Sequence, residues 1–411
     1  MKLLLLFLLL LLAPVTSFPK EKKPKQEKLS TLYKNAKTAL KNQSGQDAAR
    51  NALLQAIGRP ELNNQQRAEI HYTAATLSES LNDIENKKAY LKQPYDTAKF
   101  FNTLSDMYEQ LRLCDSIDVL PDAKGAVRAR MTKKTSALRL KHRPNMLVGG
   151  KFFLRKKNFA AAYPYFDNFC TYQEQQKADT LYQQAALWAT ISAFQADNYA
   201  GTVKYADAAI QHTDSATAAI LLEYKVRSFL KLDNRNSWVK ALEQGVLTYP
   251  EHDYFFVQLA DWYHSQQLYS EERRLADLVL SHTRGKAIHH YAKTKSYLAE
   301  GDYDACIACA DSTIAIQPDF ANAYYNKGLA YLNKIVVFEE TSCKDINDPK
   351  YMEDKKTVQE LYRLARPCME KVRQLLPEEQ DLWASPLYRI YLNLNLGEEF
   401  SEIDKLIKEK K

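Results

Sequence analysis

The sequence predicts an all-α protein built from repeated helix hairpins, and three observations carry that expectation. Only 11 of the 411 residues are glycine while 45% are hydrophobic, so the chain has much apolar surface to bury and few residues suited to many tight turns. Apolar residues recur at helical spacing, as in Leu32, Ala36, Ala39 and Leu40, then Ala48, Ala49, Ala52, Leu53, Ala56 and Ile57, and no stretch sustains a period of two. In the second half Phe229, Tyr263, Tyr297 and Tyr331 follow one another at a constant 34-residue step. A period of that length signals stacked helical hairpins.

The chain opens on Lys2 and an unbroken apolar run from Leu3 to Leu12. Such a run is short against the roughly 20 residues a membrane-spanning helix needs, and it fits the core of a signal peptide. Val15 and Ser17 supply small side chains at the −3 and −1 positions, so residues 1–17 are expected to be removed after Ser17. Phe18, not a cysteine, stands directly after that point, which argues against a lipid anchor. The expected product is exported, periplasmic before any other location, with no membrane span after signal cleavage. Residues 18–28, FPKEKKPKQEK, are polar with two prolines and read as a flexible leader, so structure is expected from about Leu29.

Residues 29–142 are expected to form degenerate helical hairpins; FFNTLSDMYEQLRLCDSIDVLP, 100–121, has the pattern of a diverged unit. From residue 143 the period is regular. Val226, Ala260, Thr294 and Gly328 keep the 34-residue step with small or modest side chains, Val246, Leu280 and Ile314 keep it with aliphatic ones, and Pro250 and Pro318 lie two steps apart. Segments 301–318, GDYDACIACADSTIAIQP, and 321–332, ANAYYNKGLAYL, resemble the tetratricopeptide repeat. Each element has a physical reason. Gly301 can take the positive φ that ends a helix, Asp302 suits the next N-cap, Gly328 lets helices cross closely, and Pro318 cannot continue the helix before it. In this frame repeats fall at about 143–176, 183–216, 219–252, 253–286 and 287–320, with another from 321. The resemblance implies a right-handed superhelical solenoid of antiparallel helix hairpins.

The step from Pro318 to Pro377 is longer than one repeat and shorter than two. The surplus is expected as a loop over 335–357, with a short helical extension as the alternative, because Asp348-Pro349 and the surrounding charges suit turn chemistry. Trp383 restores the phase, Gly397 is expected to stop the next helix, and EEFSEIDKLIKEKK forms a charged capping helix.

Chemistry is sparse. Cys306 and Cys309 form a CxxC, but within a repeat helix, with Cys306 where alanine is usual, so packing is the expected role. Cys343 and Cys368 could bridge in an oxidising compartment. Adjacent His289 and His290 point about 100° apart on a helix and cannot easily share one metal. No HExxH, GxSxG, Walker-type or GxGxxG pattern occurs, and neither catalysis nor a metal or cofactor is expected. The formal charge of +7, from 57 basic and 50 acidic residues, is spread along the chain, so nucleic acid is not an expected partner.

In the tetratricopeptide family particular positions of each first helix line the concave face. Carried onto this chain they include Glu223, Arg227, Val257, Asp261, His264, Tyr291, Lys295, Tyr325 and Leu329. Their mixture of charge, aromatic and aliphatic groups suits a protein or peptide partner. Only Asn326 matches the family's chaperone-tail carboxylate clamp, so that ligand is not expected. The resemblance therefore implies a non-catalytic scaffold or adaptor of the bacterial cell envelope. The alternative is a glycan- or nutrient-binding envelope protein of helical-repeat type.

Overall fold

The computed structural model describes residues 26–122, 124–171 and 180–409; the expected signal peptide and most of the expected leader lie outside them. Every regular element among the described residues is a helix, and none is long and apolar enough to cross a membrane. The helices pair as α1 (Leu29–Asn42) with α2 (Gln46–Ala56), α3 (Asn64–Tyr90) with α4 (Thr97–Asp118), and α5 (Thr132–Arg155) with α6 (Phe159–Thr171). There follow α7 (Thr180–Gln195) with α8 (Tyr199–Ile210), α9 (Ser215–Lys231) with α10 (Arg235–Thr248), and α11 (Asp253–Ser265) with α12 (Tyr269–His282). The last three pairs are α13 (Ala287–Glu300) with α14 (Tyr303–Ile316), α15 (Ala321–Thr341) with α16 (Pro349–Leu375), and α17 (Gln380–Asn393) with α18 (Gly397–Glu409).

The chain forms two compact units that divide between residues 174 and 175. In the second unit each helix packs on the next, and several first helices also touch the first helix of the following pair, the arrangement of a solenoid. Helices α11, α13 and α15 begin at Asp253, Ala287 and Ala321, which keeps the step seen in the sequence. The compact-unit boundary lies one hairpin beyond residue 143, where the sequence places the start of the regular array.

One turn explains why the pairs look alike. After every first helix except α15 the turn opens on a residue with positive φ, namely Gln43, Lys92, Lys157, Asp197, Asp233, Gln267, Gly301 and Asn395, and the first turn adds Gly45. The amide of the next residue donates back to a carbonyl in the last turn, as in Asn234 N–H to Phe229 O, Leu268 N–H to Tyr263 O and Asp302 N–H to Tyr297 O, at 2.9–3.0 Å. This is the 6→1 closure of a Schellman turn, which satisfies a carbonyl the helix end would leave bare. The periodic aromatics Phe229, Tyr263 and Tyr297 are thus the residues whose carbonyls close successive turns. Asn198, Asn234 and Asp302 then accept from the backbone amide three residues on, capping α8, α10 and α14.

Two local expectations change. The stop after α17 is Asn395 at φ +54, while Gly397 is the first residue of α18. Asparagine tolerates the left-handed region, so the glycine was not needed there. Residues 335–357 are largely helical: α15 runs on to Thr341, and α16 starts at Pro349 behind Asp348, whose carboxylate accepts from Lys350 N–H. Asp-Pro is here an N-cap followed by a proline at the first helical position, where its missing N–H costs nothing. The surplus residues therefore lengthen both helices of one hairpin, and only 342–348 connect them.

Small residues set the closest helix approaches. Val226, Ala260, Thr294 and Gly328 are all buried. A Cβ on Gly328 would lie 2.7 Å from the Cε end of Met369, whereas one on Gly245 would run into the ring of Phe255.

Candidate functional site

The nine positions singled out in the sequence fall into two rows on successive first helices, plus one outlier. Glu223, Val257, Tyr291 and Tyr325 form one row at the repeat step, and Arg227, Asp261, Lys295 and Leu329 form the other, one turn further along. His264 lies in the last turn of α11. Residues i and i+4 share a helix face, so each helix presents one member of both rows on one side.

Arg227 is the most available cation of the two rows, with about half of its side chain exposed (51%). Its Nε lies 3.1 Å from Glu223 Oε1, and its guanidinium sits 5.4 Å from the centroid of the Tyr254 ring. Glu223 also meets His252 Nε2 at 2.9 Å. Val257 packs at the edge of the core formed by α9 to α13, and Tyr325 and Leu329 pack at the edge of the core around α15 to α17.

Asp261, His264 and Lys295 converge on a residue that the sequence did not single out, Glu272. Its side chain is fully buried, His264 Nδ1 lies 2.8 Å from Oε2, and Lys295 Nζ lies 3.7 Å from Oε1. Lys295 donates to Asp261 Oδ1 at 2.7 Å. Burial pushes the Glu272 carboxyl above the usual glutamate range, against the opposing pull of the His264 hydrogen bond and the Lys295 charge. Nothing in the local sequence marks Glu272 except its place beside Glu271 in the first turn of α12, where acids are common for helix-dipole reasons. Tyr291 stacks obliquely on Phe320 with ring centroids 4.8 Å apart, and burial raises its hydroxyl pKa. Lys295 is therefore a structural cation, and Arg227 is the cation of the two rows that reaches solvent.

The thiols are free, and burial sets their chemistry. Desolvation pushes Cys114 and Cys306 up to about 12 and Cys368 to about 11, and it raises Cys309. A redox-active CxxC needs the opposite shift, so Cys306 and Cys309 pack as small apolar residues. Cys343 and Cys368 are not bridged: Cys343 N–H donates to Asp354 Oδ2, and the Cys368 thiol points at the Leu364 carbonyl. Of the adjacent histidines, His289 is the buried one, accepting from Lys286 N–H through Nδ1 and meeting the Phe256 ring at 4.6 Å. In the first unit Glu79, Asp83 and His142 bring three donor atoms within 4.8 Å of one another, a grouping the sequence hides because Glu79 and His142 stand on helices far apart in the chain.

No protein-family model matches the chain, and no curated protein is similar to it at a significant level. Solved structures are similar in arrangement. The C-terminal part of a TPR repeat-containing protein from Cytophaga hutchinsonii shares 11% identity, covering 63% of this chain and 93% of its own, with a TM-score of 0.43. A TPR repeats protein from Bacteroides fragilis shares 14% identity over 64% of this chain and 98% of its own, at 0.32. The human IFIT1 dimer with m7Gppp-AAAA shares 13% identity over 88% of this chain and 72% of its own, at 0.36. The regular helix spacing and the shared hairpin turn are features of this chain itself, and they make it a solenoid of repeated helix hairpins.

Proposed function

We propose that the chain is a non-catalytic scaffold of the cell envelope that holds a protein or peptide partner against the first-helix face of α9, α11, α13 and α15. The observation that supports this most is the pair of rows at the repeat step. They place Glu223, Val257, Tyr291 and Tyr325 beside Arg227, Asp261, Lys295 and Leu329 along consecutive helices, a continuous strip whose chemistry changes from charged to aromatic and aliphatic. A strip of that kind can anchor an extended or helical segment by one exposed cation at one end and tyrosine and leucine contacts at the other. Ordering costs are low because the internal pairs, Lys295 with Asp261 and His264 with Glu272, already fix the middle of the strip. Export rests on the signal peptide expected at residues 1–17.

The test is affinity capture from an envelope extract of the native host with the mature chain as bait. A single stoichiometric protein retained by the native chain, and lost with Arg227→Glu combined with Leu329→Glu, is the expected result. Retention unaffected by that pair would move the site elsewhere, and retention on polysaccharide with no protein captured would replace the scaffold by a glycan-binding role.

A further inference from the structure

The first unit carries a set of donor atoms unrelated to the strip on α9–α15. Glu79 and Asp83 lie one turn apart on α3 and so share a face. His142, on α5, faces them with its ring held in the core at 2% exposure. Its Nε2 lies 3.0 Å from Glu79 Oε1 and 3.9 Å from Asp83 Oδ1. In a tetrahedral zinc site nitrogen and carboxylate donors sit about 2.0–2.2 Å from the ion, which places them roughly 3.3 Å from each other. One of these separations is shorter than that value and the other longer, and all three donor atoms lie within 4.8 Å of one another, so an ion would draw the carboxylates in around the ring.

A positive charge already occupies this position. Lys141 Nζ lies 2.6 Å from Glu79 Oε1 and 3.2 Å from Asp83 Oδ2, between the carboxylates that His142 also faces. The Lys141 side chain is 56% exposed, so it can swing into solvent without unpacking anything. Because the ammonium approaches from the solvent side, its release costs little. On the carboxylate side Glu79, Asp83 and Lys141 line a groove with Thr76, Ser80 and Ile84, which gives an ion a path in and leaves room for water.

We infer that Glu79, Asp83 and His142 form a binding site for a divalent transition-metal ion of the zinc class, with the Lys141 ammonium as the resident charge that the ion displaces. The imidazole selects zinc-like ions over magnesium and calcium, which take oxygen ligands. His142 Nε2, which shares its proton with Glu79 at 3.0 Å, must give that proton up to water or to Nδ1 to offer its lone pair to the ion, while Lys141 keeps its own proton and moves to water. Because α3 and α5 are the first helices of consecutive hairpins, the bound ion would clamp the two together.

The experiment is calorimetric titration of the full chain with zinc alone, paired with a thermal melt. The expected result is one equivalent bound with a raised Tm, affinity weakened at least about tenfold by Glu79→Gln or Asp83→Asn, as for loss of a ligand or its support. Lys141→Ala, which leaves all three donors in place, should bind about fivefold more tightly, the factor that corresponds to a surface ion pair. No uptake by the native chain, uptake only by Lys141→Ala, or uptake unchanged in the Glu79→Gln/Asp83→Asn double variant would each overturn the assignment.

Discussion

Asp261 and Lys295 occupy the same position in consecutive repeats, and their side chains meet at 2.7 Å. The repeat thus places opposite charges side by side along the first helices, and the pair is backed by the buried Glu272, 3.7 Å from the same ammonium. A second kind of rung recurs elsewhere: Lys293 with Asp277 and Lys327 with Asp311 join each second helix to the first helix of the next hairpin.

Reversing one side of the Asp261–Lys295 rung should cost stability. Lys295→Glu brings a third carboxylate to Asp261 and Glu272 and is expected to destabilise by about 1–3 kcal/mol, more than an exposed pair would, because Glu272 is buried. The charge-swapped double variant Asp261→Lys/Lys295→Asp should recover part of that loss in thermal melts. Equal melting of all three proteins would show that the rung carries no energy.

The hairpin turns offer a stabilising change. Gln267 holds φ +59 at the position Gly301 fills one repeat later. Gln267→Gly should raise stability by about 0.5–1 kcal/mol, since glycine adopts this region without steric cost. A lower Tm would mean that the glutamine side chain makes contacts outweighing the strain.

Glycines at helix crossings should differ in a predictable way. Gly245→Ala forces a methyl group into the rigid Phe255 ring, and a loss of about 2–3 kcal/mol is expected. Gly328→Ala meets the flexible end of Met369 and should cost no more than about 1 kcal/mol. Comparable losses in chemical denaturation would contradict this ordering; Gly328→Leu, which overfills the same gap, should cost about 1–3 kcal/mol.

Burial raises the Glu272 carboxyl above its ordinary value of 4.5, so the folded state holds that proton more firmly than the unfolded chain does. Its contribution to stability is complete below that value and is lost as pH rises through the folded-state pKa. The groups facing it are His264, Lys295 and Asp261. Glu272→Gln removes the titration, so its Tm relative to the native chain should rise as the pH is raised from 4.5 toward neutrality. A difference that stays flat or falls over that interval would refute the effect of burial.

Much of the fold was legible because every hairpin must bury the same wedge. That constraint repeats large residues such as Phe229, Tyr263 and Tyr297 and small ones such as Ala260 and Gly328 at one step. The turns were less legible: only Gly301 announces a left-handed residue, while Lys157, Asp197, Asp233, Gln267 and Asn395 adopt the same conformation under tertiary constraint. Asp348-Pro349 was ambiguous because the same dipeptide begins helices and turns. The two rows followed from the resemblance to the tetratricopeptide repeat, but their internal pairing did not. Glu272 joins them from another helix, and His142 on α5 meets Glu79 on α3 with a whole helix between them in the chain, separations no local pattern encodes.

The central claim is that the partner lies along the first-helix rows. A photocrosslinking amino acid placed at Leu329, on α15, should form an adduct with a partner protein in the native host. The same probe at Leu278, exposed on the second helix α12, should form none. An adduct from Leu278 without one from Leu329 would contradict the account.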